Sequence, residues 1–241
     1  MNLKSAAMRR TAVASVVVAC VIAAYVAFAV KGYSHDQRIL RSVVNDVELY
    51  VDFVNPLTGR VSGLELVSTP EAPVTDETLA RVAELQGLRQ LLIQNSAITD
   101  GGLGLLAPLR HVWHLDISGT AIGDDGVAAL VQLPRLEVLM VGTRVTDRSI
   151  DSFMKMRRLR ELGMGGSPIS DRSIEAFAKM SQLKELAIGG CPVSDAAVAR
   201  LAKARPDMKI RRGRTWDAAG SVEKPSSSVD CDVVREGEAT N

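Results

Sequence analysis

Six aspartates recur at an almost fixed interval: Asp76, Asp100, Asp124, Asp147, Asp171 and Asp195 are separated by 24, 24, 23, 24 and 24 residues. A row of carboxylates could hold a divalent cation or supply acid–base pairs, because ionised oxygens are the usual ligands of hard cations. Each aspartate is followed by apolar residues three, six and nine positions later, as Leu103, Leu106 and Leu109 follow Asp100. That spacing marks a helix with one stripe turned inward. A carboxylate just ahead of a helix accepts from the free N–H groups of the first turn and sits well in the helix dipole. The column is therefore expected to cap six helices. Coils stacked roughly 5 Å apart separate neighbouring carboxylates too widely for a compact ligand cage, so no metal site is expected there.

Other residue sets carry weaker chemistry. His111-x-x-His114 followed by Asp116 has a spacing found in zinc sites. Val112 and Leu115 fix the strand phase, however, which puts His114 and Asp116 on an outer face and His111 in the preceding loop. A zinc site is not expected, and a hydrolase using His114 and Asp116 ranks below a binding role. Gly163-Met164-Gly165-Gly166 resembles part of a dinucleotide fingerprint, but Pro168 stands at the third glycine position. Cys191 shares a repeat column with Ser96, Thr120, Thr143 and Ser167, where small polar side chains are expected to bond the backbone of the adjoining coil. No base stands near Cys191 to make it a nucleophile. Cys20 and Cys231, the remaining cysteines, imply no disulfide framework.

The elements that must position these residues are equally regular. Leu88-x-x-Leu91-x-Ile93, Val112-x-x-Leu115-x-Ile117, Leu136-x-x-Leu139-x-Val141, Leu159-x-x-Leu162-x-Met164 and Leu183-x-x-Leu186-x-Ile188 each place apolar side chains on one face of a short strand. Strand, turn, helix and return loop make a unit that cannot bury its apolar face without neighbours. The fold class is accordingly α/β, a right-handed leucine-rich repeat solenoid of about six 24-residue units over residues 61–212. The first unit is irregular between Ser68 and Pro73, and Glu48 to Asp52 is expected to be a strand covering the open end. At the other end Met208 to Ile210 is expected to be a last partial strand, with Arg205, Lys209, Arg211, Arg212 and Arg214 as a solvated, charge-blunted cap.

Ahead of the repeats, Thr11 to Val30 is twenty residues without a charge. At about 1.5 Å per residue it would cross a bilayer core of roughly 30 Å. It is expected to be a transmembrane signal-anchor. Lys4, Arg9 and Arg10 make residues 1–10 a cytoplasmic basic segment, placing the repeats on the extracytoplasmic side. A cleaved signal peptide ending near Ala27-Phe28-Ala29 is the rival reading. Residues 31–60 read as linker and N-terminal cap, and residues 213–241, with Pro225-Ser226-Ser227-Ser228, as a disordered tail. A net charge of +1 and only 4% aromatic residues argue against a nucleic-acid partner.

The phrases Leu115-Asp116-Ile117-Ser118-Gly119-Thr120-Ala121-Ile122-Gly123-Asp124 and Leu186-Ala187-Ile188-Gly189-Gly190-Cys191-Pro192-Val193-Ser194-Asp195 resemble leucine-rich repeats of the ribonuclease-inhibitor-like and F-box-associated kind. An apolar anchor joined to such repeats is similar to membrane-anchored bacterial repeat proteins of the planctomycete type. The resemblance implies protein–protein interaction with no catalytic activity and no cofactor. The F-box relatives would imply a substrate-recognition subunit, but residues 1–47 offer an apolar segment where a helical F-box should stand. A structural self-assembly element is the other alternative.

Strand phase narrows the expected partner surface to Gln90, Leu92, Trp113, His114, Asp116, Val138, Met140 and Glu161 on the concave strand face. Trp113, Leu92 and Met140 are expected to form one patch, because apolar and aromatic residues at outward positions are the usual makeup of an interaction hot spot. Toward the C-terminus Gly163, Gly165, Ala187, Gly189 and Gly190 leave a nearly bare surface.

Overall fold

The computed structural model describes residues 33–44, 47–55, 58 and 60–212. The expected anchor at 11–30 and the tail beyond 212 lie outside the described residues. No described helix is long and apolar enough to cross a membrane.

Each L-x-x-L-x-I run becomes a short strand whose central leucine points into the coil. After β1 (Glu48–Val54) and β2 (Val61–Val67) come β3 (Gln90–Leu92), β4 (His114–Asp116), β5 (Val138–Met140), β6 (Glu161–Gly163), β7 (Glu185–Ala187) and β8 (Lys209–Arg211). They form one sheet in chain order, with β1 and β2 antiparallel and every later pair parallel. Register sets Leu64, Leu91, Leu115, Leu139, Leu162, Leu186 and Ile210 side by side. The six leucines of that row are buried. The opposite wall is α2 (Asp76–Val82), α3 (Asp100–Gly104), α4 (Asp124–Leu130), a 3-10 turn (Asp147–Ser149) running into α5 (Ile150–Lys155), α6 (Asp171–Phe177) and α7 (Asp195–Ala204). These helices are shorter than the apolar stripe. Leu85, Leu109, Leu133, Met156 and Met180 lie past the helix ends, in return loops, and are buried there. Phe153 and Phe177 meet edge to face, with centroids 6.0 Å apart, and join the fourth and fifth coils.

The sequence spacing contains one short interval, 23 residues between Asp124 and Asp147. Its cause is a missing turn residue. In the second, third, fifth and sixth coils a left-handed residue follows the strand: Asn95 (φ 51°), Gly119 (70°), Gly166 (72°) and Gly190 (73°). Only asparagine and glycine adopt that conformation readily. The coil running Val141-Gly142-Thr143 omits the residue and turns tightly on Gly142, where an added Cβ would lie 2.5 Å from the Thr120 carbonyl oxygen.

Both ends are more elaborate than the sequence suggests. At the N-terminus the expected strand is present, but it follows a helix, α1 (residues 33–44), that buries Ile39, Leu40 and Val43 against the first coil. Asp36 on α1 is buried and accepts from the Val61 N–H at 2.8 Å, joining cap to solenoid. At the C-terminus the last strand is one residue later than expected, and Arg205 is not part of a solvated patch. Arg205 is buried; its guanidinium donates to the carbonyls of Met180 and Leu183 at 2.7 Å and to Asp207 at 2.8 Å. Both carbonyls lie in the preceding return loop, and the guanidinium ties the last two return loops together. Donation by Arg205 and Lys184 holds the Asp207 carboxyl far below the usual carboxylate range. Lys209 and Arg211 pair with Glu185, and Arg212 with Asp195.

Removing a side chain from the leucine row leaves a cavity between two coils that cannot close independently. Leu115→Ala is expected to cost about 2 to 5 kcal/mol in urea melts followed by circular dichroism. A loss under about 1 kcal/mol would show that Leu115 is not part of a packed stack.

Candidate functional site

The aspartate column caps helices less directly than expected. The residue before each aspartate is the N-cap: Thr75, Thr99, Gly123, Thr146, Ser170 and Ser194. Thr99, Thr146, Ser170 and Ser194 accept from first-turn N–H groups of their own helices. The aspartate itself begins the helix, and its carboxylate reaches forward to the next coil. Asp76 accepts from the Thr99 N–H (2.8 Å) and hydroxyl (2.6 Å), Asp124 from those of Thr146 (2.9 and 2.7 Å), and Asp171 from those of Ser194 (2.8 and 2.6 Å). Asp147 meets Ser170 in the same way, and Asp100 accepts from the Gly123 N–H. Asp195 has no further coil and meets Arg212 instead. The carboxylates are structural rungs, and every one is occupied.

A second column serves the same ladder. Two positions after each aspartate stand Thr78, Gly102, Gly126, Ser149, Ser173 and Ala197, all buried. Ser149 donates to Asp124 at 2.5 Å and Ser173 to Asp147 at 2.6 Å. A Cβ at Gly102 would lie 2.0 Å from an Asp76 oxygen, and one at Gly126 would lie 2.5 Å from an Asp100 oxygen. The column therefore holds small residues, a donor where it is serine and no side chain where it is glycine. Sequence reasoning missed this column, although its run of small residues was visible. Burial tends to raise the Asp124 and Asp147 carboxyls, but donation from Ser149 and Thr146, and from Ser170 and Ser173, leaves both below their ordinary value of 3.8. Donation by Ser194 lowers Asp171 as well.

The small polar column behaves unevenly. Ser167 donates to the Gly142 carbonyl and Cys191 to the Met164 carbonyl, both in the adjoining coil as expected. Ser96 and Thr120 bond their own coil, at the carbonyls of Ile93 and Ile117, and Thr143, in the shortened coil, is exposed. Burial pushes the Cys191 thiol up, which makes it a poor nucleophile.

The expected partner residues fall into three rows across the concave face. Leu92, Asp116 and Met140 are in register, and the same row extends to Glu65 and Tyr50 on one side and to Gly163, Ala187 and Arg211 on the other. Gln90, His114, Val138 and Glu161 form the second row. Trp113 belongs to neither. Its backbone pairs with Arg89 and Glu137, one residue upstream of the strands, so it does not join Leu92 and Met140 in a single patch. Tyr50, which sequence reasoning did not include, is 59% exposed and continues the Leu92–Met140 row. Its place follows from antiparallel pairing of β1, which strand phase within the repeats cannot reveal.

Several expected contact residues are committed elsewhere. Asp116 is buried; Ser118 donates to it from N–H and hydroxyl at 2.9 and 2.6 Å, and Gln94 at 2.7 Å. That removes the carboxylate a His114–Asp116 acid–base pair would use. Val138 is buried, not outward and accessible. The bare surface at Gly163 is filled, because the Met140 sulfur lies 2.2 Å from where a Cβ would stand. Among the described residues no three His, Cys, Asp or Glu side chains converge as metal ligands.

Residues 109–131, from the buried Leu109 through β4 to the end of α4, match the family model described as Leucine Rich repeat. The chain carries a leucine-rich repeat. The fold is similar to that of an internalin from Listeria monocytogenes (22% identity, TM-score 0.45), over 55% of this chain and 36% of that one. It is also similar to a leucine-rich repeat protein of Leptospira interrogans (19%, 0.44; 62% and 36%) and to Listeria internalin C2 (21%, 0.43; 62% and 70%). The chain thus spans about a third of the first two structures. No curated protein matches.

Because the Asp124, Asp147 and Asp171 carboxyls lie below their ordinary value of 3.8, they favour the folded state above that pH, and this contribution is lost as pH falls below 3.8 through their lower folded values. Asp147→Asn is expected to cost about 1 to 2 kcal/mol at neutral pH. An Asp124→Asn/Asp147→Asn variant should lose less stability than the parent as pH falls from about 4.5 to about 2 in urea melts. An unchanged acid dependence would place the titrating groups outside the ladder.

Proposed function

We propose that this protein is a non-catalytic binding module, held at a membrane by residues 11–30 with its repeats on the extracytoplasmic side, and that it engages a protein ligand on the concave face. The observation that carries the binding site is the row in which Tyr50, Leu92 and Met140 alternate with Glu65 and Asp116. These apolar side chains stand on the side of the sheet that no helix covers, where polar residues would serve stability equally well. The backbone beneath them is fixed by pairing within one sheet, so binding would order few new degrees of freedom. Gln90, His114 and Glu161, half-buried in the neighbouring row, supply the polar rim. Asp116 acts indirectly here, holding Gln94 and Ser118 in place.

The uncharged stretch 11–30 and the basic residues before it support the anchored, exported arrangement. The internalin and leptospiral likenesses support the fold alone. They name no ligand for this chain.

Photo-crosslinking from position 92 in native membranes should capture a protein that position 172, on the helix side, does not. Leu92→Ser/Met140→Ser should weaken that capture by about 2 kcal/mol or more while leaving the melting transition within about 1 kcal/mol. Undiminished capture would place binding elsewhere. For topology, an impermeant thiol reagent on intact cells should label Cys231, while Cys191, buried and with its thiol pushed up, stays silent. Labelling only after lysis would reverse the orientation.

A further inference from the structure

The near-zero net charge conceals a strongly basic edge. The return loops, which join each helix to the next strand, expose Arg89, Arg110, Arg135, Arg157, Arg158 and Arg160. Against them along the same loops stand Glu84, Glu137 and Asp207, and Asp207 is taken up by Arg205 and Lys184. Among the described residues no ion pair engages Arg89, Arg110, Arg135, Arg157 or Arg158. A cleft of about 270 Å³ opens between the fourth and fifth coils, lined by Glu137, Arg157, Arg158, Arg160, Gln182 and Lys184. The ladder carboxylates lie at the opposite edge, where each strand turns into its helix. Arg144, Arg148 and Arg172 accompany them there.

Two further observations say what this edge meets. Trp113, set apart from the concave patch, is half-buried in the same edge row, between Arg89 and Glu137, with its ring 5.5 Å from that of His114. Tryptophan among arginines is the composition of a membrane–water interface, where the indole sits at headgroup depth. The tether is also short. Only Lys31 and Gly32 separate Val30, the last residue of the apolar stretch, from Tyr33 at the start of α1, a reach of at most about 11 Å. Arg38 of α1 shares a cleft with Arg81 and Glu84, where the first return loop begins. The basic edge therefore starts where the chain would leave the bilayer.

We propose that the return-loop edge lies on the anionic lipid surface of the membrane entered by residues 11–30, Trp113 at the interface and the arginines on lipid phosphates. This rests on the anchoring reading above. Coils about 5 Å apart bring the arginines of successive loops over adjacent headgroups, and the acidic edge is turned away from the surface. The solenoid then lies on its side, with the concave row of Tyr50, Leu92 and Met140 open laterally.

The test uses the full chain reconstituted in vesicles of phosphatidylcholine alone or mixed with phosphatidylglycerol, with co-flotation and amide hydrogen exchange as readouts. Exchange in the segments 107–113, 131–136 and 156–160 should slow several-fold in the acidic vesicles relative to the neutral ones, and segments 97–101 and 121–126 should not change. The difference should vanish in high salt, and in an Arg110→Glu/Arg157→Glu/Arg158→Glu variant whose circular dichroism matches the parent. Equal exchange in both vesicle types, with the chain floating in both, would overturn the edge-on arrangement and leave anchoring intact. Slowing by soluble polyphosphate and not by acidic vesicles would also overturn it, marking a polyanion site instead. A chain that floats with neither would remove both readings together.

Discussion

Every coil of this protein is tied to the next by one carboxylate. An aspartate at the start of a helix accepts from the backbone N–H of the residue capping the following helix, some 23 residues later, and from its hydroxyl wherever that residue is threonine or serine. The consequence is a single requirement repeated along the chain. The N-cap must offer a hydroxyl or at least a free N–H, the residue after it must be an aspartate, and the position two further on must be small. Where it is serine the rung gains a donor, and where it is glycine the carboxylate occupies the missing side chain's volume. A ladder of this kind needs a terminus. Arg212 supplies the donor that a further coil would have brought to Asp195.

The three walls of the solenoid divide the remaining work. Leucines in register fill the interior, and their burial is the main favourable term for units that would be unstable alone. Side-chain bonding to the backbone is concentrated at the corners, where the chain changes direction and its backbone groups need partners. Arg205 adds to this bonding, its buried guanidinium donating to three carbonyls of the preceding return loop and to the Asp207 carboxylate. Positions without a partner in the ladder remain on the concave face and along the return-loop edge. Those are the surfaces on which Tyr50, Leu92, Met140 and the exposed arginines stand.

Much of this was legible in the residues themselves. A helical stripe and a strand phase each depend on spacing within a few residues, so the 24-residue period determined the repeat, the strand positions, the buried leucines and the outward places of Gln90, Leu92, His114 and Met140. The small column around Cys191 was likewise correctly placed at a corner. What the sequence could not decide was which partner each polar group would choose. An aspartate ahead of a helix looks like a cap whether it bonds its own first turn or the neighbouring coil, and only stacking brings Thr99 to Asp76 or Ser194 to Asp171.

The same limit governs the ends and the surface. α1 carries three buried apolar residues among charges, and nothing in its spacing distinguishes a cap from a linker until the open end of the first coil is there to be covered. Tyr50 joined the concave row through antiparallel pairing, and Trp113 left it by one residue of register. Each is set by contacts between segments far apart in the chain. Periodicity is a local property and was determined by the sequence alone; the choice of partner across coils depends on distance in space, and the tertiary structure decided it.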